Sequence, residues 1–119
     1  MNVTIYHNPK CSKSRKTLDI LVSRGLKPHI VDYIDNPPAP DDLLRLAKLL
    51  GVPLADLLRT SETEFSESSE PVPVENNQAL SLWLHDHPRV LQRPIVVDED
   101  NARAVVGRPP ENVLEIIEQ

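Results

Sequence analysis

The sequence predicts a mixed α/β fold in which a β-α-β unit and a β-β-α unit flank a block of helices. Three observations carry this. Two β-branched runs, residues 3–6 and 29–33, bracket a helically spaced segment near the N-terminus. Two more, residues 95–97 and 104–106, lie close together before a final amphipathic stretch. Between the pairs the chain becomes leucine-rich and is punctuated by proline and glycine.

Taken in order, Val3-Thr4-Ile5-Tyr6 is β-branched and aromatic, hence a strand. Residues 7–12 form a loop holding Asn8-Pro9. From about Ser14 the spacing turns helical, with Leu18, Leu21 and Val22 on one face and Gly25 as the C-terminal cap. His29-Ile30-Val31-Asp32-Tyr33 is the second strand, and a crossover through one helix makes the pair parallel and right-handed. Asn36-Pro37-Pro38-Ala39-Pro40 is a rigid connector. Asp41 and Asp42 open a leucine-rich helix that Gly51 ends, and residues 53–58 add one or two turns finishing at Arg59. Residues 61–75 are acidic, polar and proline-broken, and read as a mobile loop. Asn77 is placed to cap a helix whose Leu80, Trp83, Leu84 and His87 follow i, i+3, i+4, i+7 spacing, with Pro88 as its stop. The two C-terminal strands form an antiparallel hairpin, and Pro109-Pro110-Glu111 opens a last helix facing Val113, Ile116 and Ile117 inward. That order is the thioredoxin-like arrangement with a central helical insertion. In such folds a cis-proline begins the strand beside the reactive cysteine, and Pro94, after Arg93, occupies that place.

At 119 residues and 13.4 kDa a single domain spanning 1–119 is expected, able to bury about two-thirds of its unfolded surface. Aromatics make up only 3% of residues, so Leu, Val and Ile must build the core. One cysteine excludes an internal disulfide. With no secretory pattern after Met1 and no run near the roughly 20 apolar residues of a membrane span, a soluble chain in the reducing cytoplasm is expected. A net charge of −5 disfavours nucleic acid as partner. Lys10, Lys13, Arg15 and Lys16 nonetheless crowd around Cys11, whereas Glu62, Glu64, Glu67 and Glu70 form an acidic stretch. That asymmetry suits a small anionic ligand, or simply a solvated face.

Cys11 falls between the first strand and the first helix. Such a junction directs free backbone N–H groups and the positive end of the helix dipole at its occupant, and both favour thiolate over thiol. The neighbouring cations act in the same direction, and Ser12 and Ser14 add hydroxyl donors. A buried structural cysteine is the bland alternative, but a polar, basic loop is a poor place for one. Ser14 rules out Cys-x-x-Cys, and Thr17 rules out the Cys-x₅-Arg loop of low-molecular-weight phosphatases. No metal site is expected: His85 and His87 fall on different helix faces and Cys11 has no second thiol to join.

Tyr6-His7-Asn8-Pro9-Lys10-Cys11-Ser12-Lys13-Ser14-Arg15 resembles the active-site loop of the glutaredoxin-linked arsenate reductase family. Asn36-Pro37-Pro38, Leu57-Leu58-Arg59-Thr60, Gln92-Arg93-Pro94-Ile95-Val96-Val97 and Gly107-Arg108-Pro109-Pro110-Glu111 fit in the same order. The departure is in residues 61–75. The resemblance implies that Cys11 is the nucleophile, with His7 near enough to influence its ionisation, and Ser14, a hydroxyl donor three residues on, joins them as a catalytic candidate. The resemblance implies further that Arg59, Arg93 and Arg108 gather around the oxyanion, and Ser12 adds a hydroxyl donor to the substrate-binding set. Planar guanidinium groups suit that task because they grip several oxygens bidentately. It implies no bound cofactor, glutathione as reducing co-substrate, and glutaredoxin as the partner that regenerates Cys11. Two rival readings are a glutathione-dependent thiol oxidoreductase acting on another substrate, and an Spx-like regulator that binds RNA polymerase.

Overall fold

The computed structural model describes residues 1–117. In chain order its elements are β1 (Val3–His7), α1 (Ser12–Ser23), β2 (His29–Asp32), α2 (Pro40–Leu50), a 3₁₀ turn (Leu54–Leu57), α3 (Thr63–Ser66) and α4 (Asn77–Asp86). A second 3₁₀ turn (Pro88–Val90) leads to β3 (Ile95–Asp98) and β4 (Arg103–Val106), and a third (Pro110–Val113) runs into α5 (Leu114–Ile117). The chain divides into two compact units: Met1–Asn36 with the segment from Arg93 onward, and Pro37–Gln92.

The first unit contains the sheet, in the order β2-β1-β3-β4. β1 pairs with β2 in parallel and with β3 antiparallel, and β3 pairs with β4 antiparallel. This is the thioredoxin-like topology. β1 is central and buried along its whole length, as is β3. Val3, Ile5, Leu21, Val96, Val113 and Ile116 form one apolar cluster, joined by Leu18, Leu26, Val105 and Ile117. Aliphatic packing supplies this cluster, and Tyr33, fully buried, with Tyr6 adds the aromatic share of the core.

α1 differs from expectation in which face it buries. Its buried stripe is Ser14, Thr17 and Leu21, while Val22 is 57% exposed. The stripe keeps helical spacing, but its first two members are polar, so apolar periodicity alone selects the wrong neighbour of Leu21. The helix is capped by Arg24, one residue before the expected Gly25, which follows at φ +80°, a conformation that costs glycine little.

The hairpin turn is fastened by Asp98, which is wholly buried. Its carboxylate accepts hydrogen bonds from the amides of Asp100 and Asn101, the Asn101 side chain and Arg103 Nη2. The burial cost is outweighed by these bonds, which hold the carboxyl below its ordinary pKa. The ladder pairs Ile95 with Val106 and Asp98 with Arg103. Just beyond it, Gly107 N–H donates to the Pro94 carbonyl at 2.9 Å. The Arg93–Pro94 peptide is cis, as expected, and so is Arg108–Pro109.

The second unit is helical. α2 starts with Pro40, carries Asp41 and Asp42 in its first turn and ends at Gly51 in the left-handed region. α4 is capped by Asn76 rather than Asn77: Asn76 Oδ1 accepts from the Ala79 amide at 3.0 Å. Both asparagines offer the same oxygen, and only the extended backbone of the first meets the geometry of a cap. Residues 61–75, expected to be loop, include the single turn α3, whose Phe65 lies edge-on to Trp83 with ring centroids 6.3 Å apart. His85 Nδ1 lies 2.8 Å from the Pro38 carbonyl, and His87 stacks on Trp83 at 4.1 Å. No described helix is long and apolar enough to cross a membrane.

Candidate active site

Cys11 is the N-cap residue of α1, with φ −96° and ψ 122°. The Asn8 carbonyl accepts its amide at 2.9 Å, closing the loop, and its own carbonyl accepts the first helical bond from Arg15 at 3.0 Å. Its side chain completes no capping bond as a thiol. Once ionised, however, the sulfur faces the unpaired amides of the first helical turn. Burial opposes ionisation, but it is outweighed by the Ser14 amide, a hydrogen bond from the Arg93 side chain, the Lys13 amide and the charge of Arg93. The thiol therefore sits below its ordinary pKa.

The source of positive charge differs from the expectation. The side chains of Lys10, Lys13, Arg15 and Lys16 are exposed, and Arg15 Nη1 donates to the Pro9 carbonyl at 2.8 Å. The guanidinium acting on the sulfur comes from Arg93, 82 positions along the chain. Arg108 approaches too, with Nη1 at 3.9 Å from Cys11 Sγ and donating to the Arg93 carbonyl at 3.0 Å. Local sequence clustering exaggerates the role of flexible surface lysines, which water screens. The two guanidinium groups beside the sulfur flank the β3–β4 hairpin.

His7 and Ser14 are both buried, with Nδ1 and Oγ 2.6 Å apart. Ser14 Oγ also accepts the Asn8 amide at 3.0 Å. With that acceptor site filled, the hydroxyl can donate its proton to the Nδ1 of a neutral ring. Burial keeps the His7 pKa below its ordinary value, against the pull of the Asp32 carboxylate and with help from Arg15. His7 is thus tied through Ser14 to the loop that carries the cysteine. Ser14 connects strand end, loop and helix start. Ser12, the first residue of α1, is exposed. Arg59 belongs to the second unit, where its Nε is 3.6 Å from Glu62 Oε1.

Two neighbours escaped the sequence reading. Asn8 contributes through its backbone, and Thr17 through a fully buried side chain whose hydroxyl donates to the Lys13 carbonyl at 2.8 Å. A polar residue three positions after Ser14, in line with Leu21, was the available signal for Thr17.

Fold and site define a thioredoxin-like protein with one cysteine, set at a helix start and faced by arginines from a neighbouring hairpin. The chain belongs to the ArsC family, whose model matches residues 6–116. It is 42% identical over 116 residues to the uncharacterized protein YfgD of Escherichia coli K12, covering 97% of this chain and 96% of that one. It is 39% identical over 112 residues to the arsenate reductase of Neisseria meningitidis serogroup A, covering 93% and 94%. Among solved structures it superposes on the arsenate reductase from Vibrio cholerae with a TM-score of 0.87 at 40% identity, covering 98% of each chain.

Proposed function

We propose that this protein is an oxidoreductase that reduces arsenate to arsenite with Cys11 as nucleophile and glutathione and glutaredoxin as external thiols. The observation that carries the reading is the convergence on one sulfur of the Ser14 and Lys13 amides and the Arg93 guanidinium, with Arg108 Nη1 at 3.9 Å. These groups favour a thiolate, and the same donors suit the oxygens of a small oxyanion bound beside it.

In the first step the Cys11 thiolate attacks arsenic(V), a sulfur–arsenic bond forms and an oxygen leaves as water after protonation. A glutathione thiolate then attacks the Cys11 sulfur. The sulfur–sulfur bond forms as the sulfur–arsenic bond breaks, and its electron pair stays on arsenic, now arsenic(III). Two thiols have supplied two electrons, leaving a mixed disulfide between Cys11 and glutathione. A glutaredoxin thiolate attacks the glutathione sulfur and releases Cys11 as thiolate. One cysteine suffices because both remaining thiols come from outside. In this cycle Ser14 holds the loop through His7 and Asn8, Ser12 offers a further hydroxyl to the anion, and Arg59 is assigned to the anion by family resemblance.

The test is mass spectrometry after incubation with glutathione, with and without arsenate. The expected result is one glutathione adduct on Cys11 that requires arsenate and disappears with glutaredoxin, together with arsenite release. Cys11→Ser should show neither. An adduct that forms equally without arsenate would overturn the substrate assignment in favour of a general glutathione-dependent reductase.

A further inference from the structure

We infer that Gly107 is a positioning residue: the absence of a side chain there sets the spacing between α1 and the end of β4, and so places the Arg108 guanidinium at Cys11. A Cβ at Gly107 would lie 2.6 Å from Thr17 Oγ1, 2.8 Å from Pro94 Cγ and 3.1 Å from Thr17 Cγ2. Gly107 has no positive φ, unlike Gly25 and Gly51, so its requirement is for space alone.

Neither neighbour can yield easily. Thr17 is fully buried and tied by its hydroxyl to the Lys13 carbonyl, and a β-branched side chain in a helix has few rotamers to escape into. Pro94 is buried, and its carbonyl already accepts the Gly107 amide. The movable partner is the strand end itself, which carries Arg108 as the next residue. Thr17 and Cys11 share one helix, so the Gly107–Thr17 contact gauges the distance from the element holding the sulfur to the one holding the cation. Withdrawing a guanidinium from 3.9 Å to about 6 Å at an effective dielectric constant of about 20 removes about a third of its attraction for a unit anion, enough to lower that anion's occupancy by up to roughly tenfold.

The experiment compares alkylation of Cys11 by iodoacetate, an anion, and iodoacetamide, its neutral counterpart, in the full chain. Gly107→Ala should lower the iodoacetate-to-iodoacetamide rate ratio several-fold, and Arg108→Ala should lower it at least as much. In an Arg108→Ala background, Gly107→Ala should cost nothing further, because its effect passes through that arginine. Thr17→Ala removes two of the three close atoms, so adding it to Gly107→Ala should restore part of the ratio. This pair also serves if Gly107→Ala alone does not fold. General loosening would raise both rates together and leave the ratio unchanged, which would overturn the inference; so would an additive effect in the Arg108→Ala background. The extension to turnover rests on the arsenate reading above and predicts a raised arsenate KM in Gly107→Ala. A changed alkylation ratio in a protein that does not turn over arsenate would sink that reading and leave the positioning role standing.

Discussion

Replacing Ser14 by alanine removes one oxygen from a fully buried position where it serves two partners, His7 Nδ1 at 2.6 Å and the Asn8 amide at 3.0 Å. Each buried polar group left without a partner costs about 1–3 kcal/mol. His7 is only 6% exposed, so Nδ1 should lose nearly its full share, whereas half-buried Asn8 recovers part of its loss from water. The expected destabilisation is about 2–4 kcal/mol, a large fraction of the roughly 5–15 kcal/mol that holds a typical domain together. The same substitution frees the loop that sets the Ser14 amide against the sulfur, so the Cys11 pKa should rise. Urea unfolding followed by far-ultraviolet circular dichroism measures the first effect, and iodoacetamide alkylation against pH measures the second. A loss below about 0.5 kcal/mol, the range of ordinary surface substitutions, with an unshifted alkylation midpoint, would refute the idea that Ser14 holds the site together.

Three further outcomes are expected. The alkylation midpoint of wild-type Cys11 should lie below the roughly 8.5 of a free thiol, and Arg93→Ala should raise it, because removing a cation disfavours thiolate; an unmoved midpoint would detach Arg93 from the sulfur. Arg108→Lys keeps the charge and loses the planar fork, so kcat/KM for arsenate should fall roughly tenfold to a hundredfold, the worth of one charge-assisted hydrogen bond; near-wild-type kinetics would exclude a bidentate role. Because the folded-state pKa of His7 is depressed, the unfolded chain binds the proton more readily, so stability falls as pH drops below about 6.5 toward the folded value. Urea midpoints at pH 7.5 and 5.5 should diverge more in wild type than in His7→Gln, and equal divergence would show that His7 is not responsible.

Much of this architecture was legible in the sequence because strand and cap signals are local. The run Val3-Thr4-Ile5-Tyr6, the paired C-terminal strands, Gly51 as a helix stop and Pro94 at the head of β3 all lie where their chemistry places them. Cys11 at the start of α1 followed from the same logic. What escaped depends on tertiary contact. Val22 looked like core, but the sheet side of α1 takes Thr17. Asn76 and Asn77 are alike as residues, and only backbone geometry chooses between them. The crowd of cations beside Cys11 drew attention to lysines, whereas the effective charge on the sulfur comes from Arg93. The need for glycine at Gly107 is invisible without knowing that Thr17 and Pro94 stand against it.

The hairpin has a consequence of counting. Arg93 and Arg108 each stand two residues beyond the Ile95–Val106 rung, so they leave the ladder level with one another from neighbouring strands. Their meeting is recorded in the bond from Arg108 Nη1 to the Arg93 carbonyl. Asp98, four bonds deep in the turn at the far end, sets the zero from which both strands are measured. A slip of one residue there would carry every β4 side chain to the opposite face, and with it the arginine that must meet the sulfur. A buried carboxylate at the far end of the hairpin thus acts as the datum for a cation at the other, so a lesion at Asp98 should register as lost anion recognition while Cys11 and its helix remain intact.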